Sequence, residues 1–331
     1  MAWDDPLDFK KEGIVLDYKT AGVDIDAGNK FVEDLKNKVP ALGGFGGMIK
    51  VPVGYEEPIL VSGADGVGTK VSICQVANDY TTIGQDLVAM CVNDVICSGA
   101  KPLYFLDYIS IGKLDHDILD QLMQGILKGC EISDMQLLGG ETAEHPKAGP
   151  PGGSKWDIDL AGFCTGVVED YHMITGVGIK PGDKIIGIES SGIHSNGYSL
   201  INEMLWRQKI FYRDNPELMT PTTIYAPVVK ELMEKEVIFG MAHITGGGIP
   251  GNLPRCLPEG LDVKVDYNSW PLPDIFKKIM LAGEIPEEEM KRTFNMGIGF
   301  CVIVPSWAED HTLMTITPYH DCWTIGEVIT K

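Results

Sequence analysis

The chain alternates short apolar runs, closed by glycine or proline, with longer segments of helical spacing. Residues 58–63 (PILVSG) are apolar between breakers and read as a buried strand. Residues 101–111 (KPLYFLDYISI), rich in aromatic and β-branched side chains, read as a second strand. Ile118, Leu119, Leu122, Met123, Ile126, Leu127 and Cys130 recur at the helical period, with Asp115 or Asp117 as a cap. Strands follow at 135–138, running into Gly139-Gly140, and at 158–168. Residues 85–96 (QDLVAMCVNDVI) are helical and apolar on most faces, as a buried helix is. Asp94 stands at i+3 from Cys91, i+4 from Met90 and i+7 from Leu87, which puts its carboxylate on the apolar stripe. There it needs a partner or a cation, because a lone buried charge is costly.

Residues 171–183 are polar and punctuated by glycine, and mark a boundary between domains 1–170 and 171–331. The second domain restarts with a strand at 184–188 and a helix from about 195 to 207. Helices near 223–235 and 274–282 and strands near 261–266, 298–304 and 323–329 complete an α+β pattern. Residues 41–48 (ALGGFGGM) are either a mobile loop over a site or an unstructured stretch, and 146–153 (PKAGPPGG) read as a surface loop.

Charge narrows the function. The chain carries a formal net charge of −20, which argues against a nucleic-acid partner and against docking on anionic membranes. The acidic N-terminus has no signal-peptide character, and no apolar run is long enough to span a membrane. The eight cysteines never form a C-x-x-C pair and mostly sit in apolar surroundings, so they read as reduced core residues of a cytoplasmic protein. Glycine is in excess, 39 of 331 residues, and its placement is where the chemistry lies.

Residues 63–70 (GADGVGTK) follow a strand and nearly spell a phosphate loop, but end in Gly-Thr-Lys and place Asp65 where an anion would sit. A carboxylate there makes sense if a divalent cation stands between protein and phosphate. Gly139-Gly140-Glu141 repeats the arrangement of apolar strand, glycines and acid. With Asp94, these acids suggest an oxygen-ligand Mg-nucleotide site. Asp107 either joins that cluster or faces solvent. In the second domain, residues 190–198 (SSGIHSNGY) sit at a strand-to-helix turn, where Ser195 or Asn196 can cap the helix. The neighbouring Ser and His do not make a hydrolase, since the glycine spacing of a nucleophile elbow is missing. Residues 246–251 (GGGIPG) spell G-x-G-x-x-G, yet only a very short strand precedes them and Pro250 interrupts the helix start, so they read as a phosphate or substrate loop. His194 and His243 adjoin these turns; either a structural or a functional role is open for them.

Taken together, 18–29 (YKTAGVDIDAGN), 65–70 (DGVGTK), 91–94 (CVND), 139–144 (GGETAE), 192–200 (GIHSNGYSL) and 243–248 (HITGGG) resemble the phosphoribosylformylglycinamidine cyclo-ligase family, also called aminoimidazole ribonucleotide synthetases. The resemblance runs from about residue 18 to 329. It implies a two-domain α+β fold whose N-terminal sheets pair into a barrel in a homodimer. It also implies ATP-dependent closure of formylglycinamidine ribonucleotide to aminoimidazole ribonucleotide. By the same resemblance Asp65, Asp94 and Glu141 are ligands of Mg2+, and Lys19 and Lys70 neutralise the triphosphate. Gly66, Gly68, Thr69, Gly139 and Gly140 cradle ATP, as do Gly246, Gly247 and Gly248, which also line the substrate side with His243. Lys19, His194, Asn196 and His243 are the implied catalytic residues. The alternative is another ATP enzyme of the same superfamily, a small-molecule kinase or a selenophosphate-synthetase-like protein.

Overall fold

The computed structural model describes residues 23–39, 46–146 and 157–331. Lys19, residues 41–45 of the glycine-rich segment and residues 147–153 of the Pro/Gly loop lie outside the described residues.

The first half builds a four-stranded sheet from β1 (Pro58–Gly66), β2 (Lys101–Ile111), β3 (Gln136–Glu144) and β4 (Ile158–Glu169), in the order β1-β4-β2-β3. β4 runs antiparallel to both neighbours, whereas β2 and β3 are parallel. A parallel pair needs a crossover. α4 (His116–Ile132) supplies it, with Asp115 Oδ1 accepting from the amides of Asp117 and Ile118 at its start. α1 (Ile25–Lys38) precedes the sheet, and α2 (Val71–Ala77) and α3 (Ile83–Ile96) follow β1.

α3 and α4 cross with almost no separation. A Cβ added at Gly84 would lie 2.2 Å from the Leu122 carbonyl oxygen, and one at Gly125 would lie 3.0 Å from the Gln85 nitrogen. Only glycine permits that approach.

The second half forms a five-stranded antiparallel sheet from β5 (Lys184–Glu189), β6 (Gly240–His243), β7 (Leu261–Val265), β8 (Ile298–Val304) and β9 (Cys322–Thr330), in the order β6-β8-β5-β9-β7. Its helices are α5 (Tyr198–Trp206), α6 (Ala226–Lys235), the short α7 (Gly248–Asn252), α8 (Asp274–Gly283), α9 (Glu287–Thr293) and α10 (Glu309–Ile316). α6 packs back onto α3 and β2 of the first half. One buried cluster therefore runs from Val92, Ile96 and Phe105 through Val228 and Leu232 to Ile186, Phe300 and Val302.

Two expectations change here. The 58–63 run forms a strand, but an edge strand rather than a buried one, with Leu60 63 % exposed. The helix expected from about residue 195 begins at Tyr198, and its N-cap is Gly197 in the left-handed region (φ 79°) with no side-chain cap. Ser195 is committed elsewhere, as its bonds below show.

Candidate active site

Four segments meet between the halves. They are the end of β1 with the 3-10 turn Gly68–Lys70, the C-terminal part of α3, the turn after β5, and the turn after β6. α3 is the shared wall: twelve of its residues are buried, Gln85 is half-buried and Asp94 alone is exposed. That corrects the expectation of a buried Asp94. The helix does carry a buried carboxylate, but it is Asp86, in the first turn of α3.

Asp94 is paired nonetheless. Its Oδ1 lies 2.9 Å from Nδ1 of His243, the last residue of β6, whose ring is buried. Asn93 sets the other side of that ring. Its Nδ2 donates to the Thr223 carbonyl at 2.8 Å and stands 3.5 Å from His243 Nε2, while its Oδ1 accepts from the Tyr225 amide at 3.0 Å. With Asn93 donating to Nε2, the proton of a neutral His243 sits on Nδ1 and points at Asp94. Asp65 approaches from β1. Burial pushes its carboxyl above the usual carboxylate range, the Gly66 amide at 2.7 Å pulls the other way, and neighbouring Asp94 pushes up again.

His194 lies at the centre of the turn after β5 in the left-handed region (φ 64°). Its ring is 1 % exposed, and burial holds its pKa well below the ordinary value, with the charges of His243 and Lys70 adding to the effect. It is a neutral imidazole whose Nδ1 has no hydrogen-bond partner among the described residues. Asn196 reaches the other glycine turn: a Cβ on Gly246 would lie 3.4 Å from its Oδ1, and its buried Nδ2 has no partner among the described residues. Within the 245–252 turn, Asn252 Nδ2 donates to the carbonyls of Thr245, Gly246 and Gly248 at 3.3, 3.1 and 2.8 Å. Gly247 and Gly248 both adopt positive φ there.

Two of the expected groupings do not form. Lys70 is not available to a triphosphate: it is 1 % exposed, and all three of its N–H donors are taken inside the protein. Glu141 does not join Asp65 and Asp94 within the chain. Asp65 pairs across the sheet with Gly162, Gly162 with Asp107 and Asp107 with Gly140, so Glu141 lies three strands away, roughly 14 Å at the usual strand spacing. It also shares the opposite face with Tyr108, its register partner. Among the described residues no group of three or more His, Cys, Asp or Glu side chains is placed to hold a metal ion.

Glu141, Gly139 and Gly140 instead line a cavity of about 620 Å³ with Asp107, Tyr108 and residues of α1. Asp107 is buried there, and burial, with a further push from Glu141, raises its carboxyl to about 7. Gly140 has no room for a side chain, since a Cβ would lie 2.3 Å from Asp107 Oδ1. A smaller cavity of about 250 Å³ opens beside Asp94 and His243 and is lined also by Asn252 and Arg255. Sequence reasoning singled out neither Asn93 nor Asp86; the only signal for Asp86 was an acid at the start of an otherwise apolar helix.

Residues 48–168 match the N-terminal domain, and residues 180–331 the C-terminal domain, of AIR synthase related proteins. The phosphoribosylformylglycinamidine cyclo-ligase of Synechococcus sp. (strain CC9902) is 49% identical over 95% of this chain and 96% of its own. The chain belongs to the phosphoribosylformylglycinamidine cyclo-ligase family. The cyclo-ligase of Prochlorococcus marinus (strain MIT 9313) is 47% identical over 95% of this chain and 96% of that one. Distant solved structures share the fold. The hydrogenase maturation protein HypE, in a complex with ATP, superposes with a TM-score of 0.66 at 17% identity, over 96% of this chain and 90% of that one. Thiamine-monophosphate kinase from Stenotrophomonas maltophilia K279a gives 0.63 at 15%, over 94% and 95%. The two-domain α+β expectation therefore holds.

Proposed function

We propose that this chain closes formylglycinamidine ribonucleotide to aminoimidazole ribonucleotide at the expense of ATP. The observation that carries the reading is the meeting of three glycine turns from both halves around the Asp94–His243 pair, in a chain nearly half identical to cyclo-ligases along its length. An amide oxygen is a poor leaving group. ATP phosphorylates it, releasing ADP; a nitrogen of the same molecule then attacks the activated carbon, a proton leaves that nitrogen, and phosphate departs as the ring closes. Such an internal attack needs orientation more than a protein nucleophile.

The residues divide that work. The larger cavity, with Gly139, Gly140 and Glu141, has the size of a nucleotide site. Asp65 and Asp94 fit a magnesium ion, because a cation between two neighbouring carboxylates relieves the charge each places on the other. Such an ion supplies charge neutralisation for transferring phosphate. His243 keeps Asp94 oriented. Gly66, Gly68 and Thr69 from the first half, and Asn196 with Gly246, Gly247 and Gly248 from the second, offer backbone and amide donors to phosphate oxygens. Lys19 supplies the ammonium that Lys70 does not, and neutral His194 contacts the transferring group through its unpaired nitrogen.

A homodimer belongs to the same reading. Leu60, Ala64, Phe163 and Leu106 share one face of the first sheet, and among the described residues no element covers Leu60 or Phe163. The eight free cysteines suit a reducing cytoplasmic setting; among the described residues no helix is long and apolar enough to cross a membrane.

The test is purified protein with formylglycinamidine ribonucleotide and Mg-ATP, with trapping of the aminoimidazole. Equal yields of ADP and aminoimidazole are expected, and Asp94→Asn, at an exposed position, is expected to lose about 100-fold in kcat with an unchanged Tm. ADP release onto another acceptor, without aminoimidazole, rejects ring closure.

A further inference from the structure

The buried Lys70 is the feature the proposed chemistry leaves without work. Its ammonium donates to Asp86 Oδ1 at 2.8 Å, to the His194 carbonyl at 2.9 Å and to the Thr220 carbonyl at 2.7 Å. Both charged groups are essentially inaccessible, with side-chain exposures of 1% and 0%. Asp86 Oδ1 is as heavily used: besides Lys70 it accepts from Ser195 Oγ at 2.9 Å, from the Thr222 amide at 2.7 Å and from Thr222 Oγ1 at 2.6 Å. Thr222 Oγ1 and Ser195 Oγ are themselves 3.0 Å apart. One ion pair thus ties together the turn after β1, helix α3, the turn after β5 and the 220–222 segment.

Burial of an ion pair does not by itself stabilise a fold; apolar residues of the same volume commonly do as well or better. What an ammonium does that a methionine cannot is fix three acceptors in directions set by its own tetrahedral geometry. Two of those acceptors are backbone carbonyls of the second half, and one of them belongs to His194, the residue held at φ 64°. On the first-half side, Lys70 ends the turn that begins two residues earlier at Gly68. Thr69, the next residue back along that turn, is also tied across the seam. Its Oγ1 lies 3.1 Å from Ser199 Oγ, and its carbonyl accepts from Asn202 Nδ2 at 2.9 Å.

We infer that Lys70 and Asp86 are positioning residues that hold the 65–69 turn and the 193–197 turn at a fixed separation, so that phosphate-handling groups from the two halves act on one substrate. The inference builds on the ring-closure reading, since it gives the two turns a common task. A shift of about 1 Å between groups that must act together costs as much as 100-fold in rate. Thr222 and Ser195 belong to the same device, which explains why Ser195 does not cap α5.

The double variant Lys70→Met/Asp86→Asn removes both charges while keeping volume, and avoids stranding one buried ion. Two measurements are made on it. Hydrogen exchange is expected to speed up at least tenfold in residues 65–69 and 193–197 together, with β5 and β8 unchanged. The kcat is expected to fall at least tenfold while calorimetry still shows full ATP-binding stoichiometry, which a merely unfolded fraction would lower in proportion. Acceleration in only one turn or in neither, or a kcat within twofold of the parent, overturns the inference. If the double variant does not fold, Ser195→Ala and Thr222→Val take its place. Each is expected to lower kcat two- to fivefold at full stoichiometry, with faster exchange in both turns, and unchanged values in both variants overturn it. A parent protein that makes no aminoimidazole rejects ring closure instead, and the exchange data then decide the inference alone.

Discussion

In the five-stranded sheet all seven residues of β8 are buried, flanked by β6 and β5 and covered on both faces. In the four-stranded sheet β1 has no buried residue at all, Leu60 is 63% exposed and Phe163 on β4 is 47% exposed. Composition accounts for part of this, since β8 has no polar side chain while β1 carries Ser62 and Asp65 and β4 carries Asp159, Thr165 and Glu169. Coverage adds to the difference: α3 and α4 pack on one face of the first sheet, and among the described residues no element covers Leu60 or Phe163 on the other. An apolar sheet face of this kind marks an interaction site. The second sheet is closed by its own helices, whereas the first leaves Leu60 and Phe163 open, the face on which the proposed homodimer would form.

Three substitutions sharpen that contrast, taken from the largest effect on folding to the smallest. Phe300→Ala in β8 empties the centre of the closed sheet and is expected to cost about 3–5 kcal/mol, read by urea unfolding, with no change in the association state of the protein that remains folded. Asp107→Asn acts in the half-covered sheet through pH. The folded protein holds the Asp107 proton up to about pH 7, far above the usual carboxylate value of 3.8. Stability from this group is therefore full below about pH 4 and falls as pH rises toward 7, by about 1.4 kcal/mol per unit at most. The Asn variant is expected to lose that slope; parallel stability curves for parent and variant between pH 5 and 7 would show that the carboxyl is not buried as described. Phe163→Lys on the open face is expected to change folding stability by less than about 1 kcal/mol yet, under the proposed homodimer, to shift sedimentation from dimer to monomer. A variant that stays dimeric would place the interface elsewhere.

Much of this architecture was readable in advance. The 101–111 run is β2 to the residue. The Ile118–Cys130 stripe is the buried face of α4, and the 298–304 run is β8. Periodicity and apolar runs report local geometry, and local geometry was met. α1 was not anticipated as an element, because Phe31 is the only residue it buries.

The site was legible as residue types and not as partnerships. The DGVGTK spelling placed Lys70 beside a phosphate turn, but an ammonium serves a ligand or a buried carboxylate with the same chemistry, and Asp86 lies 16 residues further on. Asp94 shares a stripe with Met90 and Cys91, yet the stripe ends where α3 reaches the cleft, so the last acid emerges while the first is enclosed. Likewise Glu141 repeats the motif of Asp65 at another strand end, and only the strand order shows that the two are three strands apart.

The pairing of β1 has a consequence for how the chain is made. Among the described residues β1 is an edge strand whose one partner is β4, and some ninety residues separate the end of the first from the start of the second. At ribosomal rates of about 5–20 residues per second, β1 leaves the exit tunnel several seconds before the strand it needs has been synthesised. β2, α4 and β3 can dock locally meanwhile, while Ile59 and Leu60 wait unpaired. The first of the described strands to be translated is thus among the last to be secured, and holding it in solution during that interval falls to whatever meets the nascent chain.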